Sequence, residues 1–327
     1  MKIGIDIMGG DYAPQETVRG AVLARNELPA SVELVLIGDS IEIHKLLKEY
    51  KADESQFTIV HASDVIGMGD NPARAVVQKP ESSISIGFKM LKEGEIDSFA
   101  SAGNSGAMLV GAVLYIKTIP GIIRPCLSSI IPKENGGLGF FLDVGANADC
   151  KPEMLQQFAI IGSLMAEYAY HIPKPKVGLM NIGEEDEKGN SLVKESFPLI
   201  KNLKDINFVG NVEGRDLFND KTDVIVCDGF TGNIILKLAE SFYFLLRKHH
   251  INNEYFERFN YENYGGTPIL GINAPVIIGH GISNAKTIKN MILFSKEVID
   301  ARLAEKISEE LTRESIVLSA APVKNGE

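Results

Sequence analysis

The sequence predicts an α/β protein built as a three-layer αβα sandwich, in which a mostly parallel, Rossmann-like sheet lies between two layers of helices. Short runs rich in β-branched residues alternate along the 327 residues with longer segments of helical period. Several of the short runs are continuously apolar, as strands are when helices cover both faces of a sheet. Glycine-rich turns follow many of these runs, which is typical of strand-to-helix connections.

The predicted elements cover almost the whole chain. The strands are Lys2–Met8, Glu33–Ile37, Phe57–His61, Asp97–Ala100, Phe140–Val144, Lys176–Ile182, Phe208–Val212, Asp223–Cys227 and Val276–Ile278. The helices are Gln15–Asn26, Ile41–Glu49, Ser83–Lys92, Ser105–Tyr115, Pro152–Tyr170, Leu192–Leu199, Asn233–His249 and Asn284–Leu311. Because no stretch has the composition of a linker, we expect one domain over residues 1–327.

Charge and cysteine usage exclude several classes of protein. A formal charge of −10 disfavours nucleic acid as a partner, since binding a phosphate backbone needs clustered Lys and Arg. The three cysteines form neither a CxxC pair nor a disulfide framework, which fits a reducing compartment. No signal peptide is evident, and the longest nearly apolar run, Ala107–Ile116, is too short to span a membrane. We therefore expect a cytoplasmic protein.

Standard catalytic and cofactor signatures are missing from the sequence. No Gly-x-Gly-x-x-Gly follows the first strand, and neither a Walker phosphate loop nor a Gly-x-Ser-x-Gly nucleophile elbow occurs. The six histidines show no metal-ligand spacing. We therefore predict no metal and no cofactor.

Two glycine-rich turns are the best candidates for a ligand site. Gly103-Asn104-Ser105-Gly106 and Gly229-Phe230-Thr231-Gly232 each follow a predicted strand and open a helix. A helix N-terminus offers unpaired N–H groups, glycine allows close approach of a ligand, and Ser or Thr adds a hydroxyl donor. Any single turn of this kind is more often a simple cap. Met8–Asp11 and Gly279–Asn284 are weaker examples of the same kind of turn. Four such turns at strand ends in one chain favour phosphate binding over simple capping.

Polar side chains gather at these same strand ends. They are Asp6, Asp11, Asp143, Asn147, Asn181, Lys188, Asn211, Glu213, Asp228 and Asn233. Each could be a helix cap or a turn former, and Lys188 could be an ordinary surface lysine. For His280, in a glycine turn after the last strand, a catalytic and a structural role are equally supported.

An apolar helical hairpin is predicted at about residues 234–262. One helical stripe, widened by Tyr243 and Phe244, consists of Ile234, Ile235, Leu238, Phe242, Leu245 and Leu246. A second helical face is repeated by Ile251, Tyr255, Phe256 and Phe259. So much apolar surface indicates contact with something outside the core of one chain. A dimer partner is the default, and a membrane surface or an acyl chain is the alternative.

Taken together, these motifs make the sequence resemble the bacterial phosphate acyltransferases of phospholipid synthesis, the PlsX family. That family opens with a strand ending Asp-Ala-Met-Gly-Gly-Asp, which here reads Asp6-Ile7-Met8-Gly9-Gly10-Asp11. The further matches follow in the family's order over nearly the whole chain: Ser101–Ala107, Arg124-Pro125, Leu142–Asn147, Val177–Glu185, Lys188-Gly189, Gly210–Arg215, Asp228–Asn233, Leu236-Lys237, Gly265-Gly266 and His280-Gly281.

The resemblance implies transfer of a long-chain acyl group from acyl carrier protein to inorganic phosphate. It also implies a homodimer with the fold of the isopropylmalate dehydrogenases and phosphate acetyltransferases. The acyl phosphate would pass to a membrane-bound glycerol-3-phosphate acyltransferase, so a peripheral membrane association is compatible with a cytoplasmic enzyme. The runner-up is a phosphate acetyl- or butyryltransferase that uses coenzyme A, and a third reading is a non-catalytic phosphate- or acyl-binding regulator.

The chemistry assigns provisional roles to the candidate residues. Ionised phosphate can attack a thioester directly, so the enzyme has to position it and stabilise an oxyanion. We expect phosphate to bind at Gly103, Asn104, Ser105 and Gly106. The residues predicted to be catalytic are Lys188, which would offset its charge, Asp228, Asn233 and His280. Those predicted to line the substrate site are Asp6, Asp11, Asp143, Asn147, Asn181 and Asn211.

Overall fold

The structure, a computed structural model, describes residues 1–251 and 253–314. Its strands are β1 (Lys2–Asp6), β2 (Glu33–Gly38), β3 (Phe57–His61), β4 (Ser98–Ser101), β5 (Cys126–Pro132), β6 (Leu138–Leu142), β7 (Lys176–Met180), β8 (Asn207–Val212), β9 (Val224–Val226), β10 (Thr267–Leu270) and β11 (Val276–Ile278). In this part of the chain they form one sheet, in the order β3-β2-β1-β4-β11-β10-β5-β6-β9-β7-β8.

Helices cover both faces of the sheet. They are α1 (Gln15–Glu27), α2 (Ser40–Glu49), α3 (Pro72–Gln78), α4 (Ser83–Glu93), α5 (Ser105–Gly111), α6 (Pro152–Tyr168), α7 (Ser191–Lys201), α8 (Gly229–Lys248), α9 (Glu254–Glu257), α10 (Ala285–Ala301) and α11 (Leu303–Arg313). One core lies beneath α1, α2, α6, α7, α10 and α11. Two smaller cores on the opposite face lie beneath α3, α4 and α5 and beneath α8. The predicted three-layer α/β architecture is therefore confirmed.

Strand direction reverses near the middle of the sheet. Strand β10 is antiparallel to both β11 and β5, and β5 is antiparallel to β6. All other neighbouring strands are parallel. The carboxyl ends of β1, β4 and β11 therefore lie at one end of the sheet, and those of β6, β7, β8 and β9 lie at the other.

Two strands and one helix were not predicted from the sequence. Strand β5 contains two serines and ends at Pro132, and β10 is a four-residue strand with Pro268 in its second position, so neither has a strong β pattern. Helix α3 has only seven residues. The single helix predicted at the C-terminal end is two helices, because Arg302 adopts a left-handed conformation between α10 and α11.

The region of the predicted hairpin contains one long helix and a short return. Helix α8 has 20 residues, whereas α9 has only four. The return segment is tied to the β5–β6 turn, since the Tyr255 hydroxyl donates to the Pro132 carbonyl at 3.3 Å and Arg258 Nη1 donates to the Lys133 carbonyl at 3.0 Å. The Tyr243 hydroxyl also donates to Glu257, which links α8 to α9. The return segment is therefore held between α8 and the β5–β6 turn.

Candidate functional site

The predicted site residues fall into three groups, and we name each group after one of the strands at whose carboxyl ends its members gather. The β4 group contains Asp6, Asp11, Gly103, Asn104, Ser105, Gly106 and His280. The β9 group contains Asp143, Asn147, Asp228 and Asn233, and the β7 group contains Asn181, Lys188 and Asn211. The carboxyl end of β4 points to one end of the sheet, and those of β7 and β9 point to the other.

A buried carboxylate organises the β4 group. Asp6 accepts a hydrogen bond from the Ser101 hydroxyl at 2.6 Å and from the Met8 N–H at 3.0 Å. Burial raises the pKa of Asp6, although these hydrogen bonds oppose the shift. A Cβ on Gly9 would lie 2.4 Å from Asp6 and 2.7 Å from the Gly103 nitrogen, so only glycine permits this approach. Ser101 is a site residue that was not predicted, although it stands in the Ser-Ala-Gly-Asn-Ser-Gly motif.

Asn104 is the cap of α5. Its side-chain oxygen accepts from the Ala107 N–H at 3.0 Å, and its amide donates to the carbonyls of Gly67 and Asp70, each at 3.0 Å. The amide is thus occupied by the loop before α3. Of the first helical turn, the N–H groups of Ser105 and Gly106 have no intrahelical acceptor, and the Ser105 side chain is exposed beside them. The donors that the turn can offer to phosphate are therefore these N–H groups and the Ser105 hydroxyl.

His280 lies next to the β4 group because β11 pairs directly with β4. The Gly279 N–H donates to the Ser101 carbonyl, and the Asp11 N–H donates to the Gly281 carbonyl at 2.7 Å. Burial lowers the pKa of His280, while the charge of Glu240 on α8 opposes the shift. His280 is therefore a mostly neutral imidazole, held between the glycine turns and α8.

The β9 group is built around a second buried carboxylate. Asp143 accepts from the N–H groups of Leu127, Ala146 and Asn147 and from the Asn147 amide, at 2.7–3.2 Å. Burial raises the pKa of Asp143, again against the effect of its hydrogen bonds. The Asn233 amide donates to the Val144 carbonyl at 3.2 Å.

Asp228 connects the β9 group to the start of α8. Its carboxylate accepts from both the N–H and the hydroxyl of Thr231, each at 2.8 Å, so it caps the helix. Gly145 has a φ of +129°, and a Cβ there would lie 2.6 Å from the Asn233 amide nitrogen. The turn after β6 and the N-terminus of α8 are therefore packed in direct contact.

The β7 group forms a loop with an exposed lysine. The Asn181 amide donates to the Lys188 carbonyl at 3.1 Å, and the Asn211 amide donates to the Glu185 carbonyl at 2.8 Å. The side chain of Lys188 is exposed. Glu184 pairs with Lys221, and Asp186 pairs with Lys201, which makes part of this acidic run an ion-paired surface.

The structure does not bring Lys188 to the Gly103–Gly106 turn within one chain. Strands β4 and β7 are six places apart in the sheet, which at about 4.8 Å per strand is roughly 29 Å. Their carboxyl ends also point in opposite directions. Within one chain Lys188 is therefore too far from this turn to offset the charge of phosphate there, because the strand reversal places the two strand ends at opposite ends of the sheet.

Comparisons with known proteins identify the family. A family model described as "Fatty acid synthesis protein" matches residues 1–249. The phosphate acyltransferase of Dictyoglomus turgidum is 43% identical over 332 residues, covering 96% of this chain and 98% of that protein. The phosphate acyltransferase of Desulforamulus reducens is 42% identical over 331 residues, covering 95% and 97%.

Solved structures with the same fold are more distant in sequence. A phosphotransacetylase from Streptococcus pyogenes superposes with a TM-score of 0.66 at 19% identity, covering 91% of this chain and 94% of that one. A putative 4-hydroxythreonine-4-phosphate dehydrogenase from Salmonella typhimurium superposes with a TM-score of 0.54 at 12% identity, covering 91% and 99%. These superpositions confirm the expectation that the chain has the fold of the phosphate acetyltransferases. The similarity to the curated relatives goes further, and the chain belongs to the phosphate acyltransferase (PlsX) family of transferases that act in fatty acid and phospholipid synthesis.

Proposed function

We propose that the protein transfers a long-chain acyl group from acyl carrier protein to inorganic phosphate and releases an acyl phosphate. The observation that carries this proposal is the contiguity of three features in one chain. The open N-terminus of α5, the neutral His280 beside it, and an apolar cavity that begins at His280 follow one another. They match the three parts of the reaction: an anionic nucleophile, a carbonyl that becomes an oxyanion, and an alkyl chain.

The proposed phosphate site is the first turn of α5. Its free N–H groups and the positive end of the helix dipole favour an anion, and the exposed Ser105 hydroxyl adds a donor. A phosphate oxygen attacks the thioester carbon, the C–O bond forms, and collapse of the tetrahedral intermediate breaks the C–S bond. The thiolate leaves with the pantetheine arm of the carrier. His280 would hydrogen-bond the oxyanion or the departing sulfur.

The proposed active form is a homodimer that pairs through α8. Phe230, Ile234, Leu238 and Leu245 recur at intervals of about one or two helical turns and are 48–64% exposed. In a symmetric dimer the same stripe serves both subunits, and a twofold axis perpendicular to α8 makes the two helices antiparallel. The N-terminus of α8 in one subunit then faces the later turns of α8 in the other.

This pairing would complete the active site. The β9 group lies at the N-terminus of α8, and Glu240, a later residue of α8, acts on His280. Antiparallel pairing therefore brings the β9 and β7 groups of one subunit toward the β4 group of the other. Under this proposal Lys188, Asp228 and Asn233 act on phosphate bound by the partner subunit, which accounts for their separation within a chain.

The acyl donor distinguishes this proposal from the coenzyme A alternative. Acyl carrier protein is acidic, so its docking needs basic residues, and Arg247, Lys248, Lys286 and Lys289 are the candidates. Arg247 pairs with Glu257, and Lys289 pairs with Glu27, which reduces the positive charge that these residues offer to the carrier. No helix in the described ranges is long and apolar enough to cross a membrane, so delivery to a membrane glycerol-3-phosphate acyltransferase would need a peripheral contact.

The test is phosphate-dependent loss of hexadecanoyl-ACP with the acyl phosphate trapped by hydroxylamine. We expect the trapped product only when enzyme, phosphate and acyl-ACP are all present. Activity with acetyl-CoA and none with acyl-ACP would instead identify a short-chain enzyme. If neither donor gives product, the result would instead favour a non-catalytic phosphate- or acyl-binding protein.

A further inference from the structure

An apolar cavity lies between α8, α9 and the segment that precedes β9. Its volume is about 650 Å³, which is within the usual range of about 300–1,000 Å³ for small-molecule sites. Ile235, Ala239 and Leu246 line one wall, and Phe256 and Phe259 line another. Because the return segment is tied to the β5–β6 turn, the cavity has fixed walls.

The cavity continues to His280. A smaller space of about 80 Å³ is lined by His280, Glu240 and Phe141, and it shares Ile235, Ala239 and Phe259 with the larger cavity. One end of the combined space thus carries the polar side chains of His280 and Glu240 and adjoins the glycine turns. The other end, at Leu246 and Phe256, is apolar. This polarity matches an unbranched acyl chain whose reactive carbonyl stays at His280.

Ala239 occupies the junction between the two spaces. It is half-buried, it lines both of them, and its side chain is the smallest on the cavity face of α8. A larger side chain here would close the passage without touching His280. The depth available to an alkyl chain is therefore set at this position.

We propose that this cavity binds the unbranched acyl chain of the thioester and that Ala239 determines the chain lengths accepted. This inference rests on the proposed function and adds the location of the chain and the residue that controls its length. Leu238 and Phe242 line the cavity and are also exposed, whereas Phe230 and Ile234 are exposed and do not line it. One helix can thus bind the acyl chain along one face and a second subunit through Phe230 and Ile234 beside it.

The first test compares octanoyl-ACP with hexadecanoyl-ACP in Ala239→Phe. Each buried methylene favours binding by about fourfold, so loss of about four methylenes lowers the preference for the longer chain roughly 250-fold. We expect the ratio of the two kcat/KM values to fall by at least about a hundredfold. Ser241→Phe, which adds the same ring to α8 outside the cavity, should keep the wild-type ratio.

An unchanged ratio in Ala239→Phe would overturn the inference. If that variant keeps its ratio but becomes monomeric on a sizing column, the groove is instead covered by a second copy. Wild-type enzyme that forms no acyl phosphate from either donor would remove the proposed function, and the second experiment would still report on the cavity.

The second test needs no catalysis. The chain contains no tryptophan, so Leu246→Trp places a single fluorophore at the apolar end of the cavity. Palmitate brominated at its terminal carbon should quench this tryptophan, and octanoate brominated at its terminal carbon should quench it much less. Adding Ala239→Phe to Leu246→Trp should abolish the quenching by palmitate. Equal quenching by the two probes, or quenching that survives the double substitution, would refute an acyl-chain site.

Discussion

The separation of the β4 group from Lys188 leads to a prediction about mixed dimers. Ser105→Asp places a carboxylate where phosphate is proposed to bind, and Lys188→Glu reverses the charge proposed to neutralise phosphate from the other subunit. Each homodimer would be inactive, because each variant damages both of its composite sites. A heterodimer would have one site with both substitutions and one site with neither.

The expected magnitudes follow from electrostatics and symmetry. Two like charges about 4 Å apart at an effective dielectric constant of about 20 repel by about 4 kcal/mol, which is roughly a thousandfold in rate. Random reassociation makes about half of the dimers mixed, and half of the sites in those dimers are intact. The mixture should therefore recover about one quarter of the wild-type activity.

The assay is hydroxylamine-trapped acyl phosphate, measured before and after the two homodimers are dissociated and reassociated together. A mixture of Ser105→Asp with a second variant of the β4 group, Gly106→Asp, is the matched control and should stay inactive because both changes fall in the same half-site. The composite site would be refuted if the first mixture also stays inactive while sizing and mass measurements show heterodimers. Full activity of the Lys188→Glu homodimer would refute it more directly.

Three further predictions concern the interface, the core and His280. Ile234→Glu, which puts a charge on the exposed stripe of α8 outside the cavity, should give monomers in sedimentation analysis and lose activity together with dimerisation. Lys133 and Asp223 form a 2.5 Å ion pair in which the lysine side chain is 5% exposed. Lys133→Met removes the cation and leaves the Asp223 carboxylate without its ion-pair partner, so urea titration should show a free energy of unfolding lower by about 3–5 kcal/mol. Adding Asp223→Leu should restore most of this loss. Burial lowers the pKa of His280 from its ordinary value of 6.5, so the folded state favours the neutral imidazole. The stability that this preference provides is complete above pH 6.5 and falls as the pH drops below that value. His280→Asn should flatten this part of the curve of unfolding free energy against pH.

The alternation of elements could be predicted from the sequence, but the direction of the strands could not. Alternating apolar runs and amphipathic segments determine which residues form strands, and each predicted strand is present within a few residues. Strand β5 and strand β10 reverse the sheet, and both are weak patterns whose pairing is decided by neighbours far away in sequence. Without them, Lys188 and Ser105 would share one edge of the sheet.

The candidate site was predicted better in its parts than in its assembly. The caps at Asn104 and Asp228 follow from local chemistry, since Asn and Asp before a helix accept its first N–H groups. The role of Asn104 in holding the loop at Gly67 could not be predicted, because that contact joins residues 37 positions apart. Ser101 is similar: its partner Asp6 is 95 residues away and is adjacent only because β1 pairs with β4.

Helix α8 links the chemistry of the site to the assembly of the protein. Its N-terminus carries the β9 group, its middle contacts His280 and the acyl cavity, and its exposed stripe would bind a second subunit. Phe230 and Ile234 belong to the stripe and do not line the cavity, so the two roles can be separated by substitution. Ile234→Glu should abolish dimerisation and activity together, whereas Ala239→Phe, inside the cavity, should leave the dimer intact and change only the chain length that the enzyme accepts. If both substitutions had the same effect, the two faces would be one surface, and the acyl chain would have to bind elsewhere.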